Sequence, residues 1–297
     1  MERGGGRTGS AGLDALETGR AFAELPGWRV IAVRGTDAVT WLHDLVSADV
    51  EGLKAGQNRR SLLLTPTGRI RADFHIAKVD EGSFLLLQAR EQPEAVDAIL
   101  APYVLSSDVE LEDQGERSVV VAVLGGPAAE AHDAGLVLAP SVLGIGHDIF
   151  VPPGEPTEEI RGRLRDRGLV EVTPADIETW RIRRGAARMG PDFGPDALPA
   201  EAGLEDAIDF TKGCFLGQES VAKVRNLGHP PRVLLHVRSV TAIRPGAPVF
   251  ADGVAVGEVT SAAQPNGETH AIVRIRWDAA AEPLSTGAGP LSLRREQ

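Results

Sequence analysis

The sequence predicts an α+β protein whose C-terminal segment, from Arg232, is a small all-β module. Two observations carry this. From residue 28 to about 169, strand-like apolar runs alternate with helical periodicities, and from Arg232 only alternating strands and turns remain. A loop-rich stretch, 174–231, separates the two textures, with prolines at 191, 195, 199, 230 and 231.

In chain order, residues 1–24 open on "MERGGGRTGSAG" and read as a disordered tail: glycine and charge without an apolar segment. "WRVIAVRG" reads as a strand and a turn. Val39, Leu42, Leu45 and Val46 then repeat at helical spacing, behind Thr36 or Asp37 as N-cap. "RRSLLLTPTGRIRADFHIAKVD" (59–80) is a hairpin about a Pro-Thr-Gly turn, "GSFLLLQAR" (82–90) a strand, and "EQPEAVDAILAPYVL" (91–105) a helix. "SVVVAVLGGPAAEAHDAG" (118–135) and "IFVPPGEPTEEIRGRLRDRGL" (149–169) each read as strand, turn and helix. "PADIETWRIRRG" and "QESVAKVR" read as further helices. After Pro230-Pro231, "PRVLLHVRSV", "APVFADGVAVGEVTSA" and "THAIVRIRW" alternate as strands of a small barrel or sandwich, with an Asp-Gly hairpin signal at 252–253. The expected domains are therefore 1–24, 25–231 and 232–297.

Composition excludes several functions. A net charge of −11 argues against nucleic acid and against an anionic membrane surface, since both need a clustered basic face. No apolar run is long enough to span a bilayer. The single cysteine forbids an internal disulfide, fits a reducing cytoplasm, and cannot by itself hold a zinc ion or an iron–sulfur cluster. The seven histidines show no metal-ligand spacing, and phosphate-loop and dinucleotide signatures are missing. "LGGPAAEA" (124–131) lies between strand and helix as a phosphate loop does but lacks the glycine spacing, so a tight connection is the simpler reading.

The cysteine itself is the most informative residue. It stands in "FTKGCFLGQES" (210–220), where Lys212 precedes Cys214 and a helix starts after it, both suited to supporting a thiolate. Gly213 and Gly217 permit backbone shapes that other residues resist. Gln218 and Glu219 follow as candidates to cap or line a pocket. Packing as a small hydrophobe is the commoner fate of a free cysteine, but such a residue has no need of these neighbours. The basic run "RIRRGAAR" reads as a solvated helix face that can also receive a polyanion, and Asp73 in "GRIRADFHI" faces either a pocket or solvent.

"KGCFLGQE" resembles the signature of the YgfZ family, folate-binding relatives of the glycine-cleavage T-protein. "RGTDAVTWLHDLVSADV", "LLLTPTGRIRADFHI", "VLGGPAAEA", "VRNLGHPPR" and "GVAVGEVTSA" resemble further landmarks of that family in the same order, over roughly residues 25–280. The resemblance implies a T-protein-like fold of two intertwined α/β modules around a central channel, plus a C-terminal β-barrel. It implies a tetrahydrofolate-binding accessory protein for assembly or repair of iron–sulfur clusters in client enzymes. Cys214 and Lys212 then fall on the family's functional pair, with a transient cluster shared with a partner. Two departures stand out: the hairpin has Ala72-Asp73 where T-proteins pair two acids, and Arg183 replaces the carboxylate that grips the pterin. Asp73, Arg181, Arg183 and Arg225 are the expected folate contacts, the arginines for its anionic tail. The rival reading is a folate-dependent aminomethyl- or methyltransferase using Asp73.

Overall fold

A computed structural model describes residues 8–25, 27–115, 119–124, 136–151 and 157–294. Residues 8–24 are built into the fold. Helix α1 (Thr8–Glu17) and strand β1 (Ala21–Glu24) bury Leu13, Ala15, Leu16, Ala21 and Ala23 in one cluster with Trp180. The helical spacing of Leu13 and Leu16 supplies the apolar stripe that the glycine-rich start obscures.

The chain then leaves for a second sheet: β2 (Trp28–Arg34), helix α2 (Ala38–Leu45), β3 (Asn58–Leu64), β4 (Ile70–Asp80), β5 (Ser83–Ala89), helix α3 (Val96–Leu100) and β6 (Glu110–Asp113). This sheet is antiparallel, in the order β3-β4-β5-β2-β6. One face lays Ile31, Val33, Phe74, Ile76 and Leu86 against Trp41 and Leu42 of α2 and Ile99 of α3. Asp37 is the N-cap of α2, yet its carboxylate accepts from the Asp108 backbone at 2.8 Å instead of capping. The helix expected over 91–105 shrinks to α3 and a 3-10 turn at Ala101–Tyr103. The Gln92 amide is spent on both backbone groups of Asp73, and Gln88 accepts from the Val96 backbone, which ties 92–96 to the sheet. Pro102 then lacks the N–H that would continue the helix.

Strands β7 (Val119–Leu124), β8 (Leu136–Leu138) and β9 (His147–Val151), helix α4 (Thr157–Asp166) and β10 (Val170–Glu171) return to the first sheet, ordered β10-β1-β7-β9-β8. The whole second sheet is thus inserted between β1 and β7, which intertwines the two modules. The helix expected after Leu124 lies outside the described residues. Ala21, Ala122 and Leu138 of the first sheet and Val30, Ala77 and Leu87 of the second share one core.

Helix α5 (Pro174–Arg183) starts at a capping box between Thr173 and Asp176 and packs on α1 and on the C-terminal sheet. Short α6 (Pro199–Ala202) and α7 (Gln218–Leu227) follow. The third sheet begins at Arg232, with β11 (Arg232–Ser239), β12 (Pro248–Ala251), β13 (Val254–Ala263), β14 (Thr269–Arg276), β15 (Leu284–Thr286), β16 (Gly289–Pro290) and β17 (Ser292–Leu293). Asp252 and Gly253 both have positive φ, 47° and 78°, as a tight hairpin turn requires. The sheet order runs from β16 to β17. These two edges are neighbours in sequence, so the sheet curls into a nearly closed barrel. Among the described residues no helix is long and apolar enough to cross a membrane.

Candidate functional site

Cys214 is exposed, on a loop fastened at both ends. On the upstream side, Asp209 Oδ1 accepts from the backbone N–H groups of Thr211 at 2.8 Å and Lys212 at 3.2 Å, while the Asp209 backbone donates to Ser47. Lys212 Nζ then donates to the carbonyls of His43, of Val46 at 2.6 Å and of Ala48 at 3.1 Å. These are carbonyls at and just beyond the C-terminus of α2, where the helix leaves acceptors unpaired and favours a cation. Burial pushes the Lys212 ammonium down to about 8, against the opposing pull of Asp49, Asp44, Asp209 and Glu51. All three ammonium donors are occupied, so Lys212 clamps the loop to α2 and is not a hydrogen-bond donor to the thiol.

Downstream, Phe215 is buried with Leu62, Leu64, Ile70 and Val221. Gly217, at φ 84°, is the N-cap of α7. A Cβ there would stand 2.4 Å from the carbonyl oxygen of Thr65, and one on Gly68 would stand 2.9 Å from Ser220. Ser220 donates to the Pro66 carbonyl at 2.9 Å. The "TPTG" turn between β3 and β4 and the start of α7 therefore interlock through two glycines. Gln218 is half-buried and Glu219 exposed in the first turn of α7, directly after the Gly217 N-cap. Gly213 meets nothing within 4 Å.

A second polar group lies on the face of the second sheet opposite α2. Arg60 on β3 and Asp73 on β4 form a bidentate pair, Nε to Oδ1 at 2.8 Å and Nη2 to Oδ2 at 2.6 Å. The Asp73 side chain is only 8% exposed. Burial pulls the Arg60 pKa down, but Asp73, with Asp206, outweighs it and raises the group. His75, two residues along, is driven to about 3 by burial and by Arg60, with Asp73 opposing. Its Nδ1 lies 3.1 Å from Asn58 Oδ1, an acceptor, so the neutral ring carries its proton on Nδ1. Asn58 is buried, and its Nδ2 has no partner. Asp73 thus faces inward, but both its oxygens hold Arg60.

The arginines expected as folate contacts separate. Arg181 uses all five N–H groups internally: Nε and Nη2 on Glu178, Nη1 on Ala186 and Asp192, and Nη2 also on Ser261. Asp192 in turn accepts from Thr260 and Ser261 of β13, so Arg181 rivets α5 to the barrel and has no donor left for a ligand. Arg183 lines a cleft between α1, α5 and the barrel, and pairs with Glu17 at 3.4 Å. Arg225, on α7, stacks its guanidinium 4.2 Å over Phe210. Sequence reasoning missed Arg60, His75 and Asn58. Their signal was strand alternation: Asn58, Arg60, Leu62 and Leu64 share one face of β3, and Asp73, His75 and Ala77 share the same side of β4. No group of four or even three metal-binding side chains is assembled among the described residues.

Residues 13–136 match the family model described as the GCVT N-terminal domain. The chain superposes on the glycine cleavage system aminomethyltransferase T of Bartonella henselae with a TM-score of 0.79 and 23% identity, covering 96% of this chain and 88% of that one. The fold is therefore that of the T-protein. A putative transferase, chloroplastic, of Arabidopsis thaliana is 25% identical over 84% of this chain, which spans 63% of that protein's length. An iron-sulfur cluster assembly factor IBA57 homolog, mitochondrial, of Mycosarcoma maydis is 29% identical over 75% of this chain and 58% of its own length.

Proposed function

We propose that this T-protein-fold chain is a reduced-folate-binding accessory protein of iron–sulfur cluster assembly or repair, of YgfZ type, working in the cytoplasm with Cys214 as its functional thiol. The observation that carries the reading is the exposed cysteine on a loop pinned at both ends, by the Lys212 clamp and by the Gly68–Gly217 interlock. A packed cysteine needs neither exposure nor such fastening. The similarity to a cluster assembly factor points the same way.

The Asn58–Arg60–Asp73–His75 group fits a folate. A pterin edge alternates hydrogen-bond donors and acceptors, and the orphaned Asn58 Nδ2 is a buried donor that such an acceptor satisfies. His75, held neutral, adds an acceptor at Nε2, and the Asp73 carboxyl is oriented by its paired hydrogen bonds from Arg60. The cluster is cargo: Cys214 supplies one thiolate, and the remaining ligands come from a client, an assembly protein, a second copy or a small thiol.

The test is calorimetric tetrahydrofolate binding to the wild type and to Cys214→Ala in parallel, with cluster reconstitution on wild type and Cys214→Ser. Both proteins should bind folate, and the bound cluster should disappear with the thiol. Absence of folate binding to either protein, or a cluster unchanged in Cys214→Ser, overturns the reading. A second reading, a folate-dependent aminomethyl- or methyltransferase, is favoured by the similarity to a putative transferase. It requires Asp73 to leave Arg60 during turnover, and it is tested by methylamine-donor turnover with tetrahydrofolate.

A further inference from the structure

The cleft between α1, α5 and the barrel has chemistry of its own. It is about 180 Å³ in volume, and four guanidinium groups line it, those of Arg183, Arg184, Arg238 and Arg294, together with His270. Only two carboxylates, Glu17 and Glu268, stand against them. Those carboxylates are weakly engaged: Glu17 meets Arg183 at 3.4 Å, and Glu268 meets His270 at 3.2 Å and Arg238 at 3.8 Å. Elsewhere the chain pairs arginines closely, as in the two short contacts of Arg60 to Asp73. Among the described residues, neither Arg184 nor Arg294 reaches a carboxylate. Arg184 lies 5.0 Å over the Trp180 ring, and Arg294 donates to the Arg183 carbonyl.

Two buried donors or acceptors at this cleft also lack partners, His270 Nδ1 and Arg238 Nε. His270 is 6% exposed. Its ring stacks on His236 at 5.7 Å, whose Nε2 is likewise buried and unpaired. An isolated buried polar atom is destabilising unless something fills the place of its partner. The local field agrees. Burial and then Arg294, His270 and Arg238 push His236 down to about 4, and His270 is lowered by burial and by Arg238, Arg183 and Arg294 against the pull of Glu268. A positive cleft on a chain of net charge −11 runs against the overall charge.

We propose that this cleft is a binding site for a small multivalent oxyanion, either a phosphate group or a pair of carboxylates on one short ligand. Guanidinium groups match both geometrically through paired N–H donors, and the volume suits one such group rather than a nucleotide. The site lies apart from the Asn58–His75 group and stands whether or not folate binds. A bound anion would bridge α1 and α5 to β11 and β14 of the barrel.

The experiment titrates the full chain at low ionic strength with inorganic phosphate and, separately, with glutarate, following the histidine ring signals by NMR and the heat by calorimetry. Wild type, Arg183→Gln, Arg238→Gln and the remote control Arg34→Gln are compared. The expected result is a saturable shift of the His270 signal, with its titration moved to higher pH by the anion. Affinity should fall roughly tenfold in each cleft variant, hold in Arg34→Gln, and weaken with added salt. Tighter phosphate binding identifies a phosphate-bearing ligand and tighter glutarate binding a carboxylate-bearing one; either supports the site. No saturable response to either anion, or a response unchanged in Arg183→Gln, overturns it. Should Arg238→Gln fail to fold, Arg183→Gln carries the test, since the one ion pair of that side chain among the described residues is the 3.4 Å contact with Glu17.

Discussion

The two glycines around Cys214 should respond unequally to the same change. Gly217 has φ 84°, and an added Cβ would lie 2.4 Å from Thr65 O, 3.0 Å from Leu64 Cβ and 3.3 Å from Gly68 Cα. The left-handed conformation costs about 1–2 kcal/mol for alanine. Relieving the contact with a backbone carbonyl requires the hairpin turn and α7 to move apart, about 1–3 kcal/mol more. Gly217→Ala should therefore lose about 2–5 kcal/mol. Gly213 has no neighbour within 4 Å of that position and no positive φ, so Gly213→Ala should stay within about 0.5 kcal/mol of wild type. Urea unfolding measures both, and labelling of Cys214 with a chromogenic disulfide reports the loop. In Gly217→Ala the labelling rate should change as the interlock opens, and in Gly213→Ala it should not. Equal destabilisation by the two substitutions would refute the interlock as what holds this loop.

Lys212→Met removes three hydrogen bonds to the carbonyls of His43, Val46 and Ala48, and should lower stability by about 2–4 kcal/mol in chemical denaturation. Lys212→Arg should not restore it, because a planar fork cannot converge on three carbonyls around one nitrogen. Asp73→Ala strands Arg60 and should cost about 3–5 kcal/mol, while joint replacement of Arg60 and Asp73 by leucine should recover much of that in a double-mutant cycle. Asp148 is fully buried, bonded by Ser141 at 2.5 Å and Val142 at 2.9 Å, and burial raises its carboxyl to about 7. Because the folded state holds that proton more tightly than the unfolded chain, stability falls as pH rises from about 4 towards about 7. Asp148→Asn should therefore raise the melting temperature at pH 8 relative to wild type and change it little at pH 4; an equal effect at both would remove burial as the cause.

Local pattern alone determined much of this protein. Helical spacing in 38–45, the Pro-Thr-Gly turn of the hairpin, the Asp-Gly turn at 252–253 and the all-strand texture after Arg232 are short-range signals, each set by residues within one element. The order of motifs around Cys214 identified the T-protein fold and the loop most worth watching. Sequence failed where partners are distant. Residues 8–24 look like a tail because their apolar stripe is short and acquires meaning only against Trp180, more than 150 residues away. Lys212 sits beside Cys214 in sequence but spends its charge on carbonyls 164–169 residues upstream. Arg181 looks free on its helix, yet residues of three separate segments take all five of its donors. A charged side chain's partners are set by which elements pack against it, and long chains such as lysine and arginine reach past their sequence neighbours. Which charges are free to meet a ligand was therefore decided only by the tertiary structure.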